Sequence, residues 1–276
     1  MNVEMTGFET RMQEGFTLLA RAAFSELLRE TGLQELLSGA ADKVKGRRLH
    51  AVVELPDGGR AVVRRCVHGG LLGPVLGETY LGARRFLEEA RVSEHLRSRG
   101  VNTPEIIGLI VRANAAGLCR GAVVTRMIEG GRDLLEFLRS REGKQCLAER
   151  GAKRNLVRLV AFLVRQMHDA GVSHPDLHVK NILLAPGWQV HVIDLDSARL
   201  QREVGPARRV ADLMRLARSL EKTGLDRAFS RRDACAFLLE YMRAGPGLDI
   251  DPRRVARRYR RHVAFHRLFW KAQAGE

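Results

Sequence analysis

Near the start of the chain, apolar residues recur at helical spacing. Phe16, Leu19, Ala23 and Leu27, closed by Gly32, predict one or two amphipathic helices over 11–37. Between 41 and 67 the pattern changes to short β-rich runs. RLHAVVEL and RAVVRRCV flank PDGG at 56–59, a hairpin signal. Gly46 in KVKGRR supplies another turn, so a three-stranded meander is expected. Residues 78–99 read as a helix stopped by Gly100, with Pro104 beyond. GAVVTRMIEG (121–130) reads as a buried strand running into a Gly-Gly connection. After it the pattern is helical at 132–140, 151–170, 207–222, 231–243 and 251–270. The exception is HPDLHVKNILLAPGWQVHVIDLD (174–196), where two strand-like runs flank APGW. A strand-rich first half, a short connector and a helical second half predict an α+β protein of two lobes with a cleft between them.

Composition narrows this picture. Hydrophobic residues are 45% of the chain and charged residues 29%, as in an ordinary water-soluble protein. No apolar run is long enough for a transmembrane helix, and the early acids of MNVEMTGFETRMQEGF do not read as a signal peptide. Cys66, Cys119, Cys146 and Cys235 are widely spaced without a CxxC pair, which argues against a zinc site or disulfide partners and for a reducing cytosol. The net charge of +15 favours an anionic partner. Aromatics at 5% argue against a nucleic-acid reader, which needs stacking platforms.

The chemistry concentrates in 174–196. A tight turn centred on Gly187 and Trp188 sets Leu184 opposite His191 and Asn181 opposite Asp194. An amide oxygen and a carboxylate at the open end of such a hairpin suit a hard cation such as Mg²⁺, which also takes phosphate oxygens. Asp176 lies just upstream, where it can accept a proton from an attacking hydroxyl. A base and two metal ligands are the equipment of phosphoryl transfer.

HPDLHVKN has the form H-x-D-L-x-x-x-N and so resembles the catalytic loop of protein kinases, with Asp194 of IDLD at the D-F-G aspartate. That resemblance implies a two-lobed protein-kinase-like fold: 41–125 as N-lobe with an antiparallel sheet plus helix, 126–131 as hinge, and 132–276 as a mainly helical C-lobe, with the amphipathic helices of 1–40 in front. It implies a phosphate-binding cation at the end of AVVRR, here Arg64 rather than Lys, and a carboxylate on the 78–99 helix to anchor it. Glu89 shares the inward stripe with Phe86, Val92 and Leu96, whereas Glu88 lines up with Arg84 and Arg91 toward solvent, so Glu89 is the better choice. The glycine loop is reduced to Gly46. Thr125 and RMIE (126–129) stand at the adenine connector, and Lys180 or His178 at the γ-phosphate. His174 braces the loop through a backbone hydrogen bond.

VVRRCVHGGLLG (62–73), GVNTPEIIG (100–108), HPDLHVKNILL, IDLDSARL and DLMRLARSLEK (212–222) occur in the order found in bacterial lipopolysaccharide kinases. The chain resembles that family, and its 3-deoxy-D-manno-octulosonic acid (Kdo) kinase branch more than its heptose kinase branch. The resemblance implies ATP and Mg²⁺, with Asp176 as base, Asn181 and Asp194 as metal ligands, and a lipid A or lipopolysaccharide core acceptor. It also implies peripheral work on the anionic cytoplasmic face of the inner membrane. The basic segment 251–271, as a helix, suits either that interface or packing of its apolar stripe on the lobe with a solvated basic face. Two other readings stay open: a small-molecule phosphotransferase of the aminoglycoside or choline kinase type, and a non-catalytic kinase-like binding protein.

Overall fold

Short β-branched runs dominate the first half of the chain, and they pair there as strands. The computed structural model describes residues 7–25 apart from 14 and 23, 43–44, 50–66, 80–114 and 117–243. It divides into two units, residues 1–130 and 131–276.

The first unit is built on one antiparallel sheet. Its strands are β1 (Glu9–Gln13), β2 (Phe16–Ala20), β3 (Lys43–Val44), β4 (His50–Glu54), β5 (Arg60–Arg65), β6 (Tyr80–Leu81), β7 (Ile106–Ala113) and β8 (Leu118–Arg126), in the spatial order β1-β2-β7-β8-β5-β4-β3 with β6 on β8. Alternation along a strand sends successive side chains to opposite faces. Hence Ala122 and Val124 join Phe16, Leu18, Phe24, Val63 and Ile110 on one face. Val123 joins Leu19, Leu109, Phe86 and Leu87 on the other. Phe86 and Leu87 belong to α1 (Arg84–Ser98), which covers that second face.

Two expectations from the sequence are corrected here. Residues 9–20 form a β-hairpin, not the start of a helix. Gly15 turns it at φ 77, a conformation glycine adopts without steric cost. The spacing of Phe16 and Leu19 misled because β2 is buried on both faces, and a short fully buried strand has no clean period of two. The helix expected over 78–99 begins only at Arg84, after β6. Strand β7, central to the sheet, was not anticipated. Gly46, residues 67–73 of the HGG segment, residues 26–37 of the amphipathic stretch and the helix expected over 251–271 lie outside the described residues.

The second unit is mainly helical: α2 (Leu134–Arg139), α3 (Arg141–Ala148), α4 (Arg150–Asp169), α5 (Pro206–Lys222) and α6 (Arg231–Arg243). Caps set their starts. The Asp133 carboxylate accepts the Glu136 N–H at 2.8 Å, and the Ser140 hydroxyl accepts the Gly143 N–H at 3.1 Å. Pro206 occupies the first turn of α5, where a missing N–H costs nothing. Helix α4 turns Leu156, Val160, Leu163, Val164 and Met167 into the core. Short strands decorate the helices: β9 (Arg132–Asp133), β11 (Ile182–Ala185) and β12 (Gln189–Val192) form one sheet, and β10 (Val172–Ser173) pairs with β13 (Arg199–Leu200).

Between α4 and β10 stands Gly171, at φ 79, where an added Cβ would lie 2.3 Å from the Gln201 carbonyl oxygen. The Gly171 carbonyl meanwhile accepts the Gln201 N–H at 2.9 Å. Neither backbone can yield without breaking that bond. Gly171→Ala is therefore expected to cost about 3 kcal/mol, from left-handed strain plus overpacking. Urea denaturation measures this, and a loss within the scatter of surface substitutions would contradict it.

Candidate active site

The chain leaving β10 must turn sharply toward β11, and buried polar groups fix the turn. His174 is fully buried. Its N–H donates to the Asp212 carboxylate at 2.8 Å, and its Nε2 donates to the Ile193 carbonyl at 3.3 Å. Leu177 N–H returns to the His174 carbonyl at 3.0 Å and closes the turn. Leu177 and Val179 are buried, while Asp176, just before them, is exposed. Its side chain keeps 66% of its accessibility. Hydrophobic neighbours anchor the loop from below and leave the carboxylate on the outside.

Asn181 is buried, and its Nδ2 donates to the Asp176 carbonyl at 2.9 Å. That bond fixes the amide orientation, so Oδ1 is the end turned to other partners. Residues 179–181 form one 3₁₀ turn capped by His178, whose Nδ1 accepts the Lys180 N–H at 3.2 Å. The proton of that imidazole therefore sits on Nε2, which lies 3.6 Å from Asp176 Oδ2. Lys180 itself is exposed.

The hairpin register differs from the one expected. Leu184 pairs with Val190, Leu183 with His191 and Ile182 with Val192. The Ile193 N–H donates to the Asn181 carbonyl at 2.9 Å, so Asn181 lies opposite Ile193 rather than Asp194. The cause is the turn: three residues, Pro186 to Trp188, bridge the strands, and both Gly187 (φ 73) and Trp188 (φ 62) are left-handed. Asp194 follows one residue beyond the pair, itself at φ 60 and ψ 62. On a straight strand it would point to the opposite face from Ile193; the left-handed backbone breaks that alternation. A non-glycine residue there costs about 1–2 kcal/mol. Strain of this kind concentrates where a side chain must be aimed.

Burial lowers the pKa of His174, although Asp194, Asp176 and Asp212 all pull it the other way. Burial outweighs the pull of these three carboxylates on the imidazole. His174 braces the loop as expected from the sequence, and its Nδ1 has no hydrogen-bond partner among the described residues.

Behind His174 lies a second buried cluster that sequence reasoning missed. Asp212, on α5, also accepts from His168 Nε2 at 3.2 Å and from the Arg215 guanidinium at 2.9 Å. His168 Nδ1 accepts the Tyr241 hydroxyl at 2.6 Å. Arg209 donates to Asp169 and to the Val204 carbonyl, and Arg165 donates to Asp169 and to the Tyr241 carbonyl. These side chains tie α4, α5 and α6 together. The available signal was an acid on the buried stripe of α5, beside Leu213 and Leu216; such a group must find donors inside.

In the first unit, Arg64 on β5 pairs with Glu89 on α1. Glu89 is buried, whereas Glu88 is exposed and pairs with Arg84 one turn back. Thr125 lies on β8 opposite Val62 and Ile106. Beyond it, Arg126 N–H donates to the Glu105 carbonyl and Met127 N–H to the Arg60 carbonyl.

The fold is kinase-like. A solved structure of WaaP in complex with acyl carrier protein superposes with a TM-score of 0.59 over 90% of this chain and 95% of that one, at 24% identity. The model of the lipopolysaccharide kinase (Kdo/WaaP) family matches residues 36–241, so this chain belongs to that family. A 3-deoxy-D-manno-octulosonic acid kinase of Vibrio cholerae is 30% identical over 59% of this chain and 66% of its own length. A protein of the same name from Haemophilus influenzae is 28% identical over 68% of this chain and 77% of its own. One from Xanthomonas oryzae is 29% identical over 73% and 71% respectively.

Burial lowers the pKa of His168 as well as that of His174. In the unfolded chain both titrate near the ordinary value of about 6.5. Below that pH the unfolded state binds protons that the folded state refuses, so stability falls as pH drops. Urea titrations between pH 7.5 and 5 are expected to show a progressive loss beginning near pH 6.5, and a shallower one in His168→Gln. A profile flat to pH 5 would mean that the histidines charge freely in the fold.

Proposed function

We propose that this protein is an ATP-dependent kinase that phosphorylates a sugar hydroxyl of the lipopolysaccharide inner core, with Kdo rather than heptose as the acceptor. One observation carries the reading: an exposed Asp176 carboxylate on a loop clamped from behind by buried His174 and Asn181. A general base must be held in place by its backbone while its carboxylate meets the substrate. Asp176 is suited to take the proton of the attacking hydroxyl as oxygen bonds to the γ-phosphorus and the bond to the ADP oxygen breaks.

Asn181 Oδ1 and the Asp194 carboxylate fit a divalent cation. Both are hard oxygen donors at the same end of the β11–β12 hairpin, one with its amide nitrogen already engaged and the other on a strained residue. Bound there, Mg²⁺ would neutralise phosphate charge. Arg64, steadied by Glu89, offers several N–H groups to phosphate oxygens and never loses its charge. Lys180, exposed on the 3₁₀ turn, is suited to a phosphate oxygen, and the connector after Thr125 to the adenine.

The Kdo assignment rests on the names of the relatives and on Arg64 in place of lysine. The surplus of +15 suits an acceptor bearing carboxylate and phosphates, and peripheral contact with an anionic membrane. Among the described residues no helix is long and apolar enough to cross a membrane.

Purified protein given labelled ATP should phosphorylate Kdo-bearing lipid A in preference to heptosylated core; the reverse preference would move the acceptor to heptose. Asp176→Ala should lower turnover by about 100- to 10,000-fold, and near-normal turnover would remove its role as base. For Asp194→Asn the expected effect is weaker nucleotide binding in Mg²⁺ with little change in EDTA, read by calorimetry. Equal affinity for both proteins in Mg²⁺ would contradict the ligand assignment.

A further inference from the structure

We propose that Ser219 is a positioning residue for the reaction, a second point at which α5 holds the loop that carries Asp176. The inference rests on the reading of Asp176 as the base. The Val179 N–H donates to Ser219 Oγ at 3.0 Å. The same hydroxyl donates to the Leu216 carbonyl at 2.6 Å, which aims its lone pairs at the loop. Asp212 and Ser219 are seven residues apart on one helix, two turns, and so share a face about 10 Å apart along the axis. One accepts the N–H of His174 and the other the N–H of Val179. Helix α5 therefore grips the loop on both sides of Asp176.

The second grip is needed because Asp176 is exposed and has little packing to define its position. Its carboxylate is exposed, with His178 Nε2 at 3.6 Å, longer than a hydrogen bond, so the backbone chiefly places it. Five residues could span well over 10 Å if extended, so two anchors at that separation do not stretch the segment taut. It folds into the turn closed by Leu177 N–H and the His174 carbonyl, and its height above α5 is set at both ends. Without the Ser219 hydroxyl, the N–H of buried Val179 would lose its acceptor and the loop would shift to find another. Displacement of a catalytic group by an ångström or less is enough to slow chemistry strongly, whereas nucleotide affinity depends on other groups.

The test compares Ser219→Ala, Ser219→Val and Ser219→Thr in the full-length protein, with ATP and Kdo-bearing lipid A. Valine and threonine have the same shape and differ in the hydroxyl. The expected result is a kcat lowered about tenfold per folded molecule in the Ala and Val variants, equivalent to about 1.4 kcal/mol. KM for ATP should stay within about twofold, and Thr should retain most of the rate. Amide exchange of the peptide spanning 174–181 should quicken in Ala and Val but not in Thr. If Ala fails to fold, the Val–Thr comparison stands alone. Wild-type kcat in Ala or Val, or Thr as slow as Val, overturns the proposal. Asp176→Ala is run alongside: normal turnover there defeats the base assignment, and the exchange data then still report whether Ser219 anchors the loop.

Discussion

The second unit is organised around the carboxylate of Asp212. A buried charge is tolerated only when donors replace the water it has lost. Asp212 receives three: the backbone N–H of His174, the imidazole of His168 and the guanidinium of Arg215. Each donor does a different task. The first fixes the loop, the second fixes a tautomer, and the third carries the compensating charge. Because His168 gives its Nε2 proton to Asp212, its Nδ1 must accept, and the Tyr241 hydroxyl on α6 is the group that donates. One carboxylate thereby dictates how helices α4, α5 and α6 must register.

From this centre the structure works outward toward groups that are progressively less enclosed. His174 is buried and neutral, Asn181 is buried with its amide nitrogen engaged, and Asp176 is exposed. That gradient suits phosphoryl transfer, in which the protein mainly positions charges and the reacting atoms need access. Asp194 is the strained member. Its left-handed backbone would cost least as glycine, yet the position holds an acid. The fold accepts the conformation because the Asn181–Ile193 bond and the His174–Ile193 bond tether the residue just before it.

Much of this was legible in the sequence, for identifiable reasons. The motif HPDLHVKN with IDLD needs no tertiary knowledge to read, and the inward stripe of Phe86, Val92 and Leu96 singles out Glu89 over Glu88. The register of the β11–β12 hairpin was not legible. Whether APGW closes with two residues or three depends on Trp188 adopting a positive φ, which no propensity favours. The N-terminal hairpin escaped because β2 packs on both faces and its apolar spacing imitates a helix. Asp212 and Ser219 escaped for a different reason. A polar residue on a helix states that it needs a partner only once burial is known, and burial there is set by α4 and the loop, distant in sequence.

Arg64 shows how a single departure from a motif reshapes its surroundings. A lysine ammonium is compact and rotates freely, whereas a guanidinium is planar and binds through a fork. Such a fork is useful to phosphate oxygens only if its plane is held. Glu89 holds it from a site almost closed to water, with 6% exposure for its side chain against 22% for that of Arg64. The asymmetry matters: the acid is spent inside, and the cation keeps one edge outward. Strand β5 and helix α1 bring the two together. A permanent and oriented cation of this kind is suited to phosphate oxygens, the role proposed for Arg64.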